Sequence, residues 1–288
     1  MDNDKKNTPS AKTDSLEQDI WHDPALHQAL TQIRDAQAPR QHKRMAFWYT
    51  GMAACLLLAV VLFNKTPSTS ELTVAKAKVE PLYYSTASAE QRAFELSDGS
   101  SIRLNASTKI TVALSDTQRL VSFDEGEAYF DVQHKPETPF QIRSFYGEIH
   151  VVGTEFNVEQ SKQGLRVSVY EGVVEVINRH GELIVLTQGQ RVSLDTLGQF
   201  EEKTRFDEAA PVDWQHGLLN AQSIPLQLVV ERLNRYSHKP LYLAPELNTK
   251  KVTGSFMLRD VPASVRLISE LYNLKINENK DNIYLSAL

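Results

Sequence analysis

Histidine, cysteine and acidic side chains are the groups from which this sequence would have to build a catalytic or metal site. The eight histidines are scattered without an H-x-x-x-H pair, and Cys55 is the one cysteine. Because zinc sites need several closely placed nitrogen or sulfur ligands, the sequence predicts no metal site. The motifs G-x-S-x-G, G-x-x-x-x-G-K-[ST] and G-x-G-x-x-G are also absent, which argues against the nucleophilic and nucleotide chemistry that they support.

Two further groups of residues have types that could do chemistry. Gly153-Thr154-Glu155 can be interpreted as a catalytic loop or as a strand corner, and the glycine favours the corner. Asp98, Asp131 and Glu155 would form carboxylate pairs only in a fold that brings them together. In most all-β domains such residues lie in turns or on the solvent face. The sequence therefore predicts a protein that is not an enzyme and that uses no cofactor.

An uncharged apolar run at residues 46–63 separates a short N-terminal segment from the long remainder of the chain, which contains both groups of candidate residues described above. As a helix it would be roughly 27 Å long, close to the hydrocarbon thickness of a bilayer. Arg40, Lys43 and Arg44 precede the run, whereas only Lys65 follows it closely. This bias of basic residues orients the N-terminus towards the cytoplasm. We therefore predict a single-pass inner (cytoplasmic) membrane protein with its C-terminus in the periplasm.

A buried core helix and a cleaved signal peptide are the alternatives to a membrane span. A core helix normally keeps a polar stripe, which this run lacks. Residues 1–45, which precede it, contain acids as well as bases, unlike the short basic region of a signal peptide. Cys55 lies inside the run with most of the apolar stretch after it, so we interpret it as an apolar filler rather than a lipidation site.

The cytoplasmic head, residues 1–45, is predicted to form short amphipathic helices. Trp21 lies between them, and Leu26, Leu30 and Ile33 follow helical spacing. Such helices bury little surface alone, so the head is either a juxtamembrane spacer or a docking element whose apolar face a partner completes. The head is neutral, and the sequence contains no basic patch of the kind that nucleic-acid binding needs.

Residues 64–75 are interpreted as a linker, and residues 76–200 as an all-β domain. Alternating apolar and polar residues predict short strands, and Asp98-Gly99 predicts a hairpin turn between residues 93–96 and 102–104. Later strands begin repeatedly after glycines at near-regular intervals, including Gly172, Gly181, Gly189 and Gly198. Short strands with evenly spaced corners are typical of a sandwich, a barrel or a β-solenoid.

A charged link at residues 201–211 leads into a small α+β domain at residues 212–288. Pro225 and Pro262 each open a segment with helical apolar spacing. Strands are predicted before, between and after these helices, at 217–221, 241–243, 251–257, 274–277 and 283–285. The predicted order is β-α-β-β-α-β with a final extra strand, and it can fold as two helices against one small sheet.

Short motifs follow one another in a fixed order along the β region and the tail. They include Leu96-Ser97-Asp98-Gly99-Ser100, Glu125-Gly126-Glu127-Ala128-Tyr129-Phe130-Asp131-Val132, Val152-Gly153-Thr154-Glu155-Phe156-Asn157-Val158, Val169-Tyr170-Glu171-Gly172-Val173-Val174-Glu175-Val176, Asp213-Trp214-Gln215-His216-Gly217 and Leu233-Asn234-Arg235-Tyr236-Ser237. This series resembles the FecR family of membrane-spanning sigma-factor regulators. The tail is similar to the short N-terminal domain of secretins and TonB-dependent receptors.

The resemblance implies a signalling role without catalysis and a solenoid-like β domain. In this family the cytoplasmic head binds an extracytoplasmic-function (ECF) sigma factor, so the resemblance assigns Trp21, Leu26, Leu30 and Ile33 to that contact. The periplasmic part contacts the signalling domain of an outer-membrane TonB-dependent receptor, often one that imports iron chelates. Envelope proteases process some members. The family's usual cytoplasmic region is longer than the head of this chain.

For the receptor contact we expect an exposed strand edge of the final domain, because sheet edges accept a strand from a partner. The candidate edges are Lys251–Met257, with Val252 and Phe256, and Ile283–Leu285. Two other functions compete with this prediction. One is a single-span envelope scaffold that binds a secretion or transport component without a sigma factor. The other is a membrane-anchored carbohydrate-active enzyme, which would need an acid pair in a groove.

Overall fold

The computed structural model describes residues 80–207 and 212–288, which belong to one compact unit. The predicted span at 46–63, the linker at 64–75 and the proposed sigma-factor contacts lie outside the described residues. Those contacts are Trp21, Leu26, Leu30 and Ile33. Within the described residues, no helix is both long enough and apolar enough to cross a membrane.

The first part of the described chain, residues 80–207, is built from strands and is called the β domain below. The strands are β1 (Leu82–Ser85), β2 (Arg92–Glu95), β3 (Ser101–Leu104), β4 (Lys109–Ser115), β5 (Gln118–Asp131), β6 (Phe140–Arg143), β7 (Gly147–Val151), β8 (Glu155–Ser161), β9 (Gly164–Glu171), β10 (Val173–Asn178), β11 (Leu183–Thr187), β12 (Gln190–Leu194) and β13 (Thr204–Arg205). They join into one curled sheet. The predicted hairpin is confirmed, since β2 and β3 pair antiparallel around Asp98-Gly99.

Strand β5 is long enough to belong to two layers of this sheet. Its first half pairs with β4 and β6, and its second half with β3 and β8. The change occurs at Gly126, where φ is +103° and a Cβ would lie 2.5 Å from the Thr108 Cα. The Thr108 hydroxyl accepts from the Glu127 N–H and donates to the Glu127 carbonyl, both at 3.0 Å. Only glycine fits this corner, and the backbone groups of the following residue, Glu127, stay hydrogen-bonded.

The two layers are connected by largely antiparallel pairing. The first contains β1, β4, the start of β5, β6, β7, β10 and β11; the second contains β2, β3, the end of β5, β8, β9, β12 and β13. The all-β prediction is confirmed, but the solenoid-like arrangement is wrong. The turn at Gly181 reverses the chain between β10 and β11, whereas Gly172 and Gly189 carry it from one layer to the other. In a solenoid, each corner would instead lead into a strand that pairs in parallel with the equivalent strand of the previous coil.

The inner faces of both layers form one apolar core. In β5 this core takes Val121 and Phe123 from the first half and Phe130 from the second. Alternation holds within each half, and the bulge between Phe123 and Glu125 changes its parity between them. Phe130 stacks on Phe156 of β8 with ring centroids 5.2 Å apart. The alternation therefore leaves the polar residues of each strand on the outer faces of the sheet.

Arg119 in β5 is a buried cation that joins loops at one end of the β domain. Its guanidinium donates to the Asp98 carboxylate at 3.2 Å and lies over the Phe140 ring. Its other bonds go to the carbonyls of Thr138 (2.5 Å), Gln133 (3.0 Å), Lys135 (3.3 Å) and Val152 (3.3 Å). Although burial opposes ionisation of Asp98, hydrogen bonds from Ser100 and Arg119 lower the pKa of that carboxyl.

The C-terminal module, residues 212–288, has the predicted α+β order. A 3₁₀ turn (Asp213–His216) leads into β14 (Leu218–Pro225), α1 (Leu226–Asn234), β15 (Leu241–Leu243), a second 3₁₀ turn (Pro245–Leu247), β16 (Lys251–Met257), α2 (Val261–Tyr272), β17 (Leu274–Glu278) and β18 (Ile283–Ala287). Pro225 directly precedes α1 and Pro262 lies in the first turn of α2, as expected. Asp260 caps α2 by accepting from the Ala263 N–H at 2.9 Å.

The strands of the module form two sheets, so the expectation of one small sheet is wrong. β14 pairs with β16, while β18 lies between β15 and β17. Helix α1 packs on β14, β15 and β16, and α2 packs on β16 and β17. Because the apolar sides of the helices fill the space between the two sheets, each sheet buries its inner face without joining the other.

Candidate functional site

A row of charged side chains crosses the outer face of the second layer. In-register pairing places Glu127 of β5 beside Glu159 of β8, and Glu159 beside Arg166 of β9. The outer face of a sheet normally meets water, yet Glu159 is only 4% exposed. The C-terminal module covers this row, and it brings two more arginines to it.

Helix α1 and the residue that follows it supply those arginines. Arg232 donates through Nε to Glu159 Oε1 at 2.8 Å, and its Nη2 donates to Oε2 of the same carboxylate. Arg235 bridges both acids, with Nη1 2.9 Å from Glu127 Oε2 and Nη2 3.2 Å from Glu159 Oε1. Arg166 approaches Glu159 at 3.8 Å. These five residues are called the interface cluster.

Neutral polar groups complete the coordination of Glu127. Asn105 and Asn157 donate to its two oxygens at 2.8 and 3.0 Å. Each asparagine also accepts a bond from the module: Asn157 from the Trp214 indole N–H at 3.2 Å, and Asn105 from the Tyr236 hydroxyl. Every partner of Glu127 is a donor, so the hydrogen bonds favour its ionised form.

Main-chain bonds also hold the module to the turn between β1 and β2. The Ala89 N–H donates to the Arg235 carbonyl at 2.9 Å, and the Ser88 hydroxyl donates to the same oxygen at 3.1 Å. Gln91 donates to the Tyr236 hydroxyl at 2.7 Å and to the Trp214 carbonyl at 3.0 Å. The module is therefore attached through ion pairs, side-chain bonds and backbone bonds together.

The two acids of the cluster respond differently to their surroundings. Burial opposes ionisation of Glu159, but the guanidinium groups of Arg232 and Arg235 outweigh it and lower its pKa strongly. Burial and the neighbouring Glu159 charge raise the pKa of Glu127. Burial disfavours the charge of Arg232 too, but Glu159 outweighs this and raises the pKa of Arg232. The Arg232–Glu159 pair is thus the tightest ionic contact of the interface.

We expect this pair to make the protein sensitive to acid. A carboxyl whose pKa is lower in the folded than in the unfolded state stabilises the fold fully above the unfolded value, here 4.5. That contribution is lost as the pH falls below 4.5, because the unfolded chain then takes up the proton first. Unfolding in urea between about pH 5 and pH 3 should therefore show a steeper loss of stability for the wild type than for Glu159→Gln. Equal slopes would contradict this assignment.

The residues predicted to contact a receptor lie inside the module. Val252, Phe256, Ile283 and Leu285 are all buried in its apolar core. Ile283–Leu285 is not an edge either, because β18 is the central strand of its sheet. Strand β16 pairs on one side only, but the Thr253 N–H already donates to the Tyr272 hydroxyl at 3.0 Å.

Other edges of the module differ in how well they are covered. The Asn234 side-chain amide bonds both the N–H and the carbonyl of Leu241, at 2.6 and 2.8 Å, and so blocks β15. The Asp213 carboxylate accepts from the Asn220 N–H of β14 at 3.3 Å. Strand β17 pairs only with β18, and Lys275 and Asn277 on it are exposed. Among the described strands of the module, β17 has the most accessible edge.

The sequence did not identify the interface cluster. Glu127 and Glu159 occur in alternating strands, where period two assigns them to an outer face and hence to solvent. Arg232 and Arg235 are three residues apart, which places them on neighbouring positions of one helical surface. Two arginines at the C-terminal end of α1, one in its last turn and one directly after it, were the available indication that this surface faces acids.

The residues whose types could do chemistry are engaged in contacts that hold the fold together. Asp98 pairs with Arg119, and Gly153 is a corner at which a Cβ would lie 2.5 Å from His134 Cα. Asp131 and Glu155 are register partners at the end of β5 and β8, where Glu155 accepts from the Tyr129 hydroxyl at 2.5 Å. Across the two described ranges, no group of three His, Cys, Asp or Glu residues has the geometry to hold a metal ion.

Comparison with known protein families finds a match within the β domain. The model of the FecR family, described as FecR protein, matches residues 83–175, which run from β1 to the middle of β10. The matched segment contains both acids of the interface cluster. No protein among the curated sequences matches the chain.

Comparison with solved structures extends the likeness to the C-terminal module. A 2.50 Å crystal structure of a "putative anti-sigma factor" from Parabacteroides distasonis is 25% identical, with a TM-score of 0.66; the match covers 73% of this chain and 100% of that one. A 1.65 Å structure of the same description and organism is 24% identical, also with a TM-score of 0.66, and the match covers 72% and 99% of the two chains.

Proposed function

Because the chain carries a FecR domain, we propose that it is a transmembrane regulator that relays a signal from an outer-membrane TonB-dependent receptor to a cytoplasmic ECF sigma factor. The observation that carries this proposal is the FecR match together with the similarity to a protein described as an anti-sigma factor over that protein's whole length. The same matches support the sequence-based prediction that the protein is a regulator and not an enzyme.

The apolar run at residues 46–63 supports the membrane-spanning part of the proposal. Its length suits a bilayer, and the basic residues before it orient the head towards the cytoplasm. The β domain and the module would then lie in the periplasm, where a receptor's signalling domain is accessible. Uptake of iron or another nutrient is the process that we propose the receptor serves.

The module is the part of the protein that we propose receives the receptor. The accessible edge of β17 can accept an extended strand from the receptor, with main-chain hydrogen bonds giving affinity. Because the interface cluster ties the module to the β domain, a force on the module would be passed to the sheet and not absorbed by a loose linker.

Capture of partners tests the two ends of this relay separately. Residues 1–45 should co-purify with an ECF sigma factor of the source cell, whereas the same segment carrying Leu26→Asp and Leu30→Asp should not. Those substitutions remove the apolar face that we assign to the contact while keeping the rest of the segment. Capture of no sigma factor by the unaltered segment would refute the cytoplasmic half of the proposal.

The periplasmic arm uses the receptor's signalling domain as the probe. The full chain should retain that domain on a column, and Glu278→Pro in β17 should abolish retention because proline removes an N–H that points away from β18, to the open edge. Asn220→Pro in β14 is the matched control, since it alters an edge that Asp213 already covers. Retention that is equal in all three proteins would exclude the β17 edge, and no retention of the wild type would refute receptor binding.

A further inference from the structure

A polar cleft lies beside the interface cluster, between the β domain and the C-terminal module. Its volume is about 320 Å³, which is at the lower end of the range that holds small-molecule ligands. The β domain lines it with Ala89 and Gln91, and the module lines it with Tyr236, His238 and Arg259. A ligand in the cleft would therefore contact both parts of the protein at once.

The side chains that line the cleft are either basic or uncharged. Arg259 is exposed and makes no hydrogen bond or ion pair to any residue of the described part of the chain, and the same is true of His238. No Asp or Glu is among the described residues that line the cleft. An anion would thus meet two unpaired basic side chains, and no carboxylate is among the lining residues.

The position of Arg259 depends on a neighbouring glycine. Gly217 has φ of +74°, and a Cβ at that position would lie 3.1 Å from Arg259 Nε. The arginine side chain therefore lies close to the Gly217 backbone, and it remains exposed. Gly217 ends the Asp213-Trp214-Gln215-His216-Gly217 motif, so this motif shapes the floor of the cleft as well as placing Trp214 in the interface.

One residue that the β domain contributes to the cleft has a strained backbone conformation. Ala89 has φ of +58°, a left-handed value that an alanine rarely adopts. Its N–H bond to the Arg235 carbonyl maintains this geometry. Strained residues persist where the surroundings over-determine them, and they occur frequently at ligand clamps.

From this arrangement we propose that the cleft binds a carboxylate, with Arg259 as the bidentate partner and His238 as a second hydrogen-bond contact. A guanidinium fork matches the two oxygens of a carboxylate, which a single ammonium group cannot do. The carboxylate can belong to a small organic acid or to an acidic side chain of a protein segment. Occupancy strengthens the attachment of the module, because the ligand binds only where the two parts meet.

Calorimetric titration of the purified full chain with sodium succinate at constant ionic strength tests the site. We expect saturable binding and a loss of affinity of about tenfold or more in Arg259→Ala, since one charged hydrogen-bonded contact is removed. Arg259→Lys should recover only part of the affinity, because it keeps the charge and loses the fork. Both substitutions are at an exposed position, so the thermal unfolding of the ligand-free protein should stay unchanged.

Arg266→Ala is the matched control, because Arg266 is also an exposed, unpaired arginine of the described module and lies outside the cleft. An equal loss of affinity in Arg266→Ala would overturn the site as non-specific charge attraction, and so would absence of saturable binding to the wild type. A peptide with one aspartate and blocked ends distinguishes the sources. Tighter binding of succinate assigns the cleft to a free acid, and tighter binding of the peptide assigns it to a protein segment.

Discussion

Replacing Arg119 with methionine is expected to lower the free energy of unfolding by about 3–5 kcal/mol. The substitution keeps most of the apolar stem but removes every donor of the guanidinium. The Asp98 carboxylate then stays buried without its cation, and four backbone carbonyls lose a partner. Leaving buried polar groups unpaired costs more than the original bonds contributed. Equilibrium unfolding in urea measures the difference.

Arg143→Met is the matched control for this experiment. Arg143 lies in β6, which pairs with the part of β5 that contains Arg119. The Arg143 side chain is 51% exposed and forms an ion pair with Glu148 at the surface. Exposed pairs contribute little, so we expect a change below about 1 kcal/mol. Arg119→Lys should resemble Arg119→Met more than the wild type, because an ammonium group cannot reach carbonyls on several sides. A wild-type stability for Arg119→Met would show that the loops re-pair without the guanidinium.

Replacing Glu159 with glutamine is expected to detach the C-terminal module from the sheet, with a loss of about 3–5 kcal/mol in the attachment. Glutamine has nearly the shape of glutamate, so packing is preserved. Three guanidinium groups, those of Arg166, Arg232 and Arg235, then lose the acid that neutralises them. Their mutual repulsion and buried charge favour a separated module.

Hydrogen exchange followed by mass spectrometry distinguishes detachment from general unfolding. In Glu159→Gln we expect faster exchange in the β1–β2 turn and around α1, with the core of β5 still protected. Glu125→Gln should leave exchange unchanged, because the Glu125–Lys109 pair is exposed on both sides. Adding Arg232→Met to Glu159→Gln should recover part of the protection, since one unpaired cation is removed. Equal exchange rates in the wild type and in Glu159→Gln would show that the cluster does not hold the module.

Local patterns in the sequence predicted the elements well where one or two residues determine the geometry. Asp98-Gly99 determined a hairpin turn, and Pro225 and Pro262 located the helix starts within a residue. These are short-range effects, since they depend on backbone angles that the residue type restricts. The all-β character followed in the same way from alternation along each strand.

The arrangement of the elements could not be predicted in this way. Alternation assigns a residue to one of two faces, but it does not say what covers that face. Glu127 and Glu159 therefore looked like solvent-facing residues, although the module buries them. The glycines at residues 172, 181, 189 and 198 marked real corners, yet a glycine permits a reversal and a layer crossing equally well. The choice between a curled sheet and a solenoid depended on long-range pairing.

The partner-binding residues show the same limit. Val252, Phe256, Ile283 and Leu285 were predicted from their strands, and the strands are present, but the fold directs these side chains into the module core. Which strand becomes an edge is decided by the neighbours that it acquires. Asn234, the last residue of α1, covers β15 through its side chain, and no pattern within Leu241–Leu243 itself indicates this.

The long strand β5 has a consequence for how the β domain folds. Its two halves pair in different layers, and its residues pass from one layer to the other without a loop that could absorb a slip. A one-residue error of pairing in either layer would turn the apolar side chains of that half of β5 outwards. The fixed corner at Gly126 would carry the displacement into the other layer. The two layers therefore cannot find their registers independently, and the β domain is expected to fold in one cooperative step.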